Sequence, residues 1–354
     1  MKGNIEPMTD LLQNLQTIIR DSSVDEKNIM QRLKNLVLEH EVTDHLAKDS
    51  KSLADLYTEN LAGWQDNSDT NNTIKTGFVN LDKVIGGFSL GEFVVIGGRP
   101  AMGKTQLCVN LVLNIALKQP VLYFTFDLSE YLLASRFISA ITGIAVSKLI
   151  QHDLTNEEKK TVDILAGSIH NPRIFLNDSC HNSVSAFKTH CIKQIQENGI
   201  KVIIVDYLQM MSSNRYRNSR ELEVSYISRE LKSIARDHDV CVIATSQLSR
   251  ASEKRSMAAK PLLSDLRDSG AIEQDADKVI FIYRPEYYAI DVDEEGNSTA
   301  GLTELIIAKN RNGRLGTAYL TRNAIFTTFT DFVEHTNEFT FSPGRMDEID
   351  KTPF

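Results

Sequence analysis

The stretch of sequence that decides the fold runs from Gly98 to Thr105 and reads G-R-P-A-M-G-K-T. An apolar run, Phe93–Ile96, precedes it. Apolar residues recur after it at helical spacing, at Leu107, Leu111 and Ile115. This order of strand, glycine-rich loop and helix is the context that gives the phosphate-loop pattern its meaning. We therefore predict a phosphate-binding loop between a buried strand and a helix.

The residues of this loop have separate tasks. Backbone N–H groups of the loop and the positive end of the following helix attract phosphate oxygens. Lys104 is expected to reach the β- and γ-phosphates of ATP, and Thr105 to offer its hydroxyl to Mg²⁺. Glycines at both ends of the loop keep side chains away from this contact. The predicted cofactor-binding residues are Gly98, Arg99, Pro100, Ala101, Met102, Gly103, Lys104, Thr105 and Gln106.

Composition and charge narrow the class of protein. A chain of 354 residues is long enough for one large α/β domain and a smaller appendage. Its formal net charge of −8 argues against a basic field that would attract nucleic acid, although local basic loops can still bind it. Neither a signal peptide nor an apolar stretch of membrane-spanning length is evident, so we expect a cytoplasmic protein without a membrane partner.

The four cysteines do not indicate a metal site. Cys108 and Cys241 lie in apolar runs and are predicted to be buried core thiols. Two Cys–His neighbours occur at residues 180–181 and 190–191, but their spacing fits no common zinc pattern. Cys191 also falls in a four-residue apolar repeat with Phe187 and Ile195, which predicts a place on the apolar face of a helix.

Four sections follow one another along the chain. Residues 1–64 carry narrow apolar stripes at three- and four-residue spacing and are predicted to be all-helical, with a last helix at Leu53–Trp64. Residues 65–75 are polar and predict a linker. From 76 to 336 short apolar strands alternate with amphipathic helices, and residues 337–354 form a tail.

The alternating section predicts the fold class. Strands are expected at Phe93–Gly97, Val121–Phe126, Arg173–Leu176, Val202–Asp206, Val240–Thr245, Val279–Tyr283 and Leu305–Ala308. Among the helices between them, one near Asn156–Ala166 has a capping box formed by Thr155 and Glu158. Near-continuous apolar strands alternating with helices indicate an α/β fold, with a mostly parallel sheet covered on both faces. Ligands of such sheets bind at the carboxyl ends of the strands.

Three polar residues at strand ends complete a predicted nucleotide-hydrolysing site. Asp206 ends an apolar strand and is assigned to the Mg²⁺ shell. Asp127 follows the strand after the phosphate loop and is the candidate general base. It could instead cap the next helix, a task that Ser129 could also perform, or be a solvated strand end. Gln247 ends a third strand, where it would sense the γ-phosphate or the state of a DNA loop, or be an ordinary polar strand end.

Six short sequence segments, called strings below, resemble the motor domain of bacterial and phage replicative DNA helicases of the DnaB family. They occur in the order of that family, between Thr76 and Thr317. The strings are T-G-F-V-N-L-D (Thr76–Asp82), R-P-A-M-G-K-T (Arg99–Thr105), I-I-V-D-Y-L-Q-M-M (Ile203–Met211), S-Q-L-S-R (Ser246–Arg250), S-D-L-R-D-S-G-A-I-E-Q-D-A-D (Ser264–Asp277) and A-K-N-R-N-G-R-L-G-T (Ala308–Thr317). The Ser264–Asp277 string is the most discriminating, because a phosphate loop alone is generic.

The resemblance implies a RecA-like ATPase core that assembles as a hexameric ring around single-stranded DNA, with ATP between subunits. Lys309 and Arg311 would then come from the neighbouring subunit and stabilise charge on the γ-phosphate. Without the resemblance, the same residues next to Asn312-Gly313 would be interpreted as a solvated hairpin turn. The residues that would contact the DNA backbone are Arg267, Asp268 and Gly270, in a stretch that is otherwise interpreted as a mobile surface loop.

The sequence departs from the family pattern at three places. Asp127 stands where the family has a catalytic Glu, and Asp268 where it has a Glu in the DNA-contacting loop. The large N-terminal collar domain, which helps to bind primase, does not fit into the residues before Thr76. A helicase loader or primase is the further partner that the resemblance suggests, but binding through the collar is not carried over. The Leu53–Trp64 helix matches the family's linker helix.

The leading hypothesis is an ATP-driven, ring-forming DNA helicase or translocase on single strands. The alternative is a nucleotide-switched assembly or regulatory protein with weak ATPase activity that acts on a replication machine, which Asp127 and the missing collar motivate. A RecA-like recombination or signalling ATPase fits the Ser264–Asp277 and Lys309–Gly313 strings less well.

Overall fold

The computed structural model describes residues 51–55, 57–58, 73–169, 173–178, 182–213, 215–216, 219–248, 260–266, 270–293 and 296–333. The chain divides into two compact units, Met1–Asn71 and Asn72–Phe354. In the first unit, residues 53–55 and 57–58 are helical, and Ser52 Oγ accepts a 3.1 Å hydrogen bond from Asp55 N. The rest of the predicted N-terminal helical segment, and the predicted tail from 337, lie outside the described residues.

The second unit is built on one large sheet. Its nine strands are β3 (Phe93–Gly98), β4 (Val121–Thr125), β5 (Ile174–Asn177), β6 (Val202–Asp206), β7 (Cys241–Gln247), β8 (Lys278–Tyr283), β9 (Leu302–Asn310), β10 (Gly316–Arg322) and β11 (Phe329–Asp331). They lie in the order β11-β10-β9-β8-β3-β7-β6-β4-β5. The strands from β3 to β8 are parallel to their neighbours within that group, and β9, β10 and β11 are antiparallel. A separate pair, β1 (Thr73–Ile74) and β2 (Phe88–Ser89), is antiparallel.

Helices join the strands and cover the sheet. They are α1 (Val79–Ile85), α2 (Lys104–Ile115), α3 (Glu130–Thr142), α4 (Val146–Gln151), α5 (Asn156–Ile169), α6 (Val184–Asn198), α7 (Arg220–Asp237) and α8 (Gly270–Asp275). Two apolar clusters fill the spaces on the two faces, because neighbouring residues of a strand point in opposite directions. Val94 and Ile96 of β3 pack in one cluster with α2, whereas Phe93 and Val95 pack in the other with α6 and α7.

The predicted fold class, an α/β fold with a mostly parallel sheet, is confirmed by this architecture. Each of the seven predicted strands is present within a few residues of its predicted bounds. The predicted capping box is present as well: Thr155 N donates to Glu158 Oε2 at 2.8 Å, and Glu158 N donates to Thr155 Oγ1 at 3.2 Å. Cys108, Cys191 and Cys241 are buried free thiols.

The antiparallel edge of the sheet was not predicted. β10 alternates between solvent and core along residues of moderate polarity, so its apolar period is weak. It pairs with β9 through a turn at residues 311–315, and β11 closes the edge. Asn312-Gly313 lies in this turn, as expected for a strong turn signal.

Candidate nucleotide site

The phosphate loop connects the carboxyl end of β3 to the first turn of α2. Gly103 is the N-cap of α2 and has φ +98°, a left-handed conformation that favours glycine. No side chain caps α2, and its first turn contains no acidic residue. The free N–H groups and positive end of this helix therefore face the loop without competition from a carboxylate, which suits a bound phosphate.

Lys104 folds back over the loop. Its Nζ atom donates to the carbonyl oxygens of Gly98 at 2.8 Å and Arg99 at 3.0 Å. Burial lowers the pKa of the Lys104 ammonium, and the nearby Asp206 carboxylate opposes that shift. A partly buried cation whose hydrogen bonds go to neutral carbonyls is well placed to gain from an anion, because a charged partner compensates desolvation better than a dipole does.

The carboxylate of Asp206 is the centre of a hydrogen-bonded cluster. Thr105 Oγ1 donates to Oδ2 at 2.7 Å, and Tyr123 Oη donates to the same oxygen at 2.9 Å. Thr245 Oγ1 donates to Oδ1 at 2.6 Å. The predicted magnesium pair, Thr105 and Asp206, is thus in direct contact, and a hydroxyl beside a carboxylate is a donor set that Mg²⁺ accepts.

Two of these partners of Asp206, Tyr123 and Thr245, were not predicted from the sequence. Tyr123 is fully buried in the middle of β4, and burial, followed by the Asp206 charge, raises the pKa of its phenol well above the ordinary value. The one signal in the sequence was a hydroxyl within an apolar strand, which needs a partner when it is buried, but this does not say which partner it has.

Gln247 lies beside the phosphate loop. The parallel pairing of β3 with β7 puts Gln247 opposite Gly98, the first residue of the loop. The side chain of Gln247 is exposed, whereas Ser246 before it is fully buried. The Gln247 side chain can therefore reach a phosphate group that binds to the loop.

Asp127 lies two residues beyond β4 and is exposed. Ser129, not Asp127, is the N-cap of α3, and its hydroxyl accepts a 3.3 Å hydrogen bond from Leu132 N. Burial raises the pKa of the neighbouring Tyr207 phenol, and the Asp127 carboxylate adds to that shift. Asp127 therefore does not cap α3; it is an exposed residue just beyond the end of β4, where Thr125 pairs with Asp206.

Other residues of the predicted loop have contacts within the chain. Arg99 is buried and donates to the Tyr288 hydroxyl at 3.0 Å. Pro100 and Ala101 are exposed, and Met102 is part of the core. The Gln106 amide nitrogen donates to the carbonyl of Thr327, so this side chain points away from the loop into the core.

Lys309 and Arg311 lie at the opposite end of the parallel strands from the phosphate loop. Lys309 Nζ donates to the carbonyl oxygens of Glu273 and Gln274 at the end of α8. Arg311 donates to Asp277 Oδ1 at 3.2 Å, and the other oxygen of that carboxylate accepts from Phe93 N at 2.8 Å. Phe93 begins β3, whereas the phosphate loop follows its other end.

The predicted DNA-contacting residues are only partly described. Gly270 is exposed at the start of α8, and a side-chain Cβ at this position would meet no atom within 4 Å. Arg267 and Asp268 lie outside the described residues. In the part of the chain that is described, none of the helices is long and apolar enough to cross a bilayer.

Together, the parallel sheet, the loop before α2 and the Thr105–Asp206 pair define a RecA-like phosphate-loop ATPase. The model of the DnaB-like helicase C-terminal domain matches residues 73–331, and the chain belongs to that family. The replicative DNA helicase DnaC of Bacillus subtilis is 34% identical over 385 residues, covering 99% of this chain and 81% of that protein. DnaB of Geobacillus stearothermophilus is 37% identical over 283 residues, covering 79% of this chain and 59% of that protein.

Two solved structures share the fold. One is an isolated ATPase domain with a TM-score of 0.72 and 32% identity, covering 80% of this chain and 100% of that chain. A DnaB-like replicative helicase, described with its interactions with primase, has a TM-score of 0.76 and 30% identity, covering 92% and 76%. The chain spans more than half, but less than two thirds, of most curated relatives that it matches. These comparisons favour a helicase motor over the nucleotide-switched alternative.

Proposed function

We propose that the protein is an ATP-dependent, ring-forming DNA helicase that translocates on single-stranded DNA. In this proposal ATP and Mg²⁺ bind at the phosphate loop, with Lys104 on the β- and γ-phosphates and Thr105 and Asp206 holding the metal ion. Asp127 activates the attacking water, and Gln247 senses the γ-phosphate. Membership of the DnaB-like helicase family and the contact between Thr105 and Asp206 support these assignments.

One observation supports assembly into a ring. Lys309 and Arg311, which the family resemblance assigns to catalysis, lie at the opposite end of the parallel strands from the phosphate loop of the same chain. β3 is six residues long, so its two ends lie about 16 Å apart at the usual rise of a strand. Arg311 shares the Asp277 carboxylate with Phe93 at the far end of β3 from the loop. An arginine side chain cannot bridge that distance, so Lys309 and Arg311 can serve a nucleotide only on a neighbouring subunit.

Head-to-tail contacts of this kind generate a closed ring when the rotation between subunits closes. We propose a homohexamer with single-stranded DNA in its bore, contacted by Arg267, Asp268 and Gly270. A helicase loader or a primase is the further partner, and the cytoplasm is the site of action. The primase interactions described for one DnaB-like structure support the choice of primase.

The experiment is a strand-displacement assay with ATP and Mg²⁺, together with ATP hydrolysis measured with and without single-stranded DNA. We expect unwinding and DNA-stimulated hydrolysis. Lys104→Ala is expected to lower hydrolysis by about 10²–10³-fold, because it removes a charge aimed at the transferring phosphoryl group. Lys118→Ala, at an exposed lysine just beyond α2, is the matched control. ATP binding without unwinding and without DNA-stimulated hydrolysis would refute the proposal.

A further inference from the structure

The side chain of Gln209 takes the place of a missing strand partner beside Gln247. The last pair between β6 and β7 is Val205 with Ala244, so β7 continues for three residues without a backbone pair from β6. After Asp206 the chain turns into a short 3₁₀ helix, Leu208–Met210, which brings Gln209 next to that unpaired stretch.

The contacts of Gln209 use both functions of its amide. Oε1 accepts from Gln247 N at 3.2 Å, and Nε2 donates to Gln247 O at 3.2 Å. Nε2 also lies 2.8 Å from Ser246 Oγ. A primary amide both donates and accepts, which a carboxylate or an apolar side chain of the same size cannot do. The backbone of Gln247 is therefore fixed on both sides, by Gly98 of β3 on one and by Gln209 on the other.

The backbone of the same segment is tied to the start of α7. Arg220, the first residue of α7, donates to the carbonyl oxygens of Gln209 and Met211. Glu223 in the same turn pairs with Arg220, and its Oε1 accepts from Ser213 N at 2.7 Å. Gln209 thus lies between the start of α7 and the end of β7, which is paired with the first residue of the phosphate loop.

We propose that Gln209 is a positioning residue for ATP hydrolysis, which holds Gln247 in register with the phosphate loop through the paired amide contacts. This inference rests on the proposed function, and it assigns to Gln209 a contribution to turnover, not to ATP binding. A residue that positions a group used in the transition state lowers kcat when it is lost and leaves the KM for ATP largely unchanged.

The test compares Gln209→Glu and Gln209→Leu with the wild type in DNA-stimulated ATP hydrolysis. The pH is varied from about 5.5 to about 8, because a partly buried carboxyl group titrates in this range. The carboxylate of Gln209→Glu can accept from Gln247 N but cannot donate to Gln247 O. The protonated acid can do both. We expect kcat near pH 8 to fall by about ten-fold, which corresponds to one net hydrogen bond. The kcat ratio of Gln209→Glu to wild type should rise as the pH falls.

Gln209→Leu should stay low at every pH, and the KM for ATP should remain within about two-fold for both variants. Gln151→Glu, at an exposed glutamine that ends α4, controls for the added charge. A kcat ratio of Gln209→Glu to wild type that does not change with pH, or a wild-type kcat in Gln209→Leu, would overturn the inference. The proposed function would be unaffected by that result if the wild-type protein shows DNA-stimulated hydrolysis. If Gln209→Leu does not fold, the pH profile of the isosteric Gln209→Glu still decides. Wild-type protein without DNA-stimulated hydrolysis would refute the proposed function itself.

Discussion

The hydroxyl of Tyr123 lies 2.9 Å from Oδ2 of Asp206, the same oxygen that accepts the hydroxyl of Thr105. Tyr123 and Asp206 belong to neighbouring parallel strands, β4 and β6. Because Tyr123 is fully buried, its hydroxyl depends on this carboxylate for a partner. The orientation of the Asp206 carboxylate is consequently set by two donors on one oxygen and by Thr245 on the other.

We predict that Tyr123→Phe lowers the free energy of unfolding by about 1–2 kcal/mol, because it removes a hydrogen bond to a charged group and leaves the ring in place. Urea denaturation measures this difference. Tyr319→Phe, at a tyrosine that is 41% exposed on β10, is the matched control and should be nearly neutral. Equal stability losses in the two variants would show that the Tyr123–Asp206 contact contributes nothing.

The carboxylate of Asp127 is predicted to be the general base. Asp127→Asn should therefore reduce kcat by about 10²–10⁴-fold and preserve ATP binding. Asp127→Glu should also reduce turnover, because the site is built around the shorter side chain. Steady-state kinetics measure the kcat and the KM for ATP of these variants. Asp163→Asn, which changes an exposed carboxylate of α5, is the control. A large increase in Asp127→Glu would instead indicate a damped nucleotide switch.

A buried ion pair supports the edge of the sheet that carries Arg311. Lys278 begins β8, is 2% exposed, and pairs with Glu92, which also accepts from Asn312 Nδ2 at 3.2 Å. Lys278→Met should lower the free energy of unfolding by about 3–5 kcal/mol, because it leaves a buried carboxylate unpaired. Chemical denaturation measures this loss, with exposed Lys83→Met as control. A cost below that of the control would contradict a structural role for the pair.

The sequence was sufficient to predict the parts of the fold that have a strong local signal. Short apolar runs rich in β-branched residues, such as Val202–Val205, predict buried strands, and this one is β6. The Thr155–Glu158 box predicts a helix start that the structure reproduces. The phosphate loop was predictable because its glycines, lysine and threonine act through spacing within eight residues.

Contacts between distant residues had no such signal. The Gln209–Gln247 pairing arises from the end of β6 and the turn after it, and the Tyr123–Asp206 contact depends on strand order. Strand order, β8-β3-β7-β6-β4, is a product of packing and crossover connections, not of local pattern. The same holds for Arg311, whose distance from its own phosphate loop became visible only with β9 antiparallel to β8.

The most direct measurement is a mixing experiment with two variants, Lys104→Ala and Arg311→Ala, each inactive alone. If the nucleotide lies between subunits, an equal mixture assembles rings in which an intact phosphate loop faces an intact Arg311 at about a quarter of the interfaces. Hydrolysis should then recover to roughly that fraction of the wild-type rate after the variants exchange subunits. Mixed rings, detected by differently tagged subunits, that hydrolyse no faster than either variant alone would contradict the account.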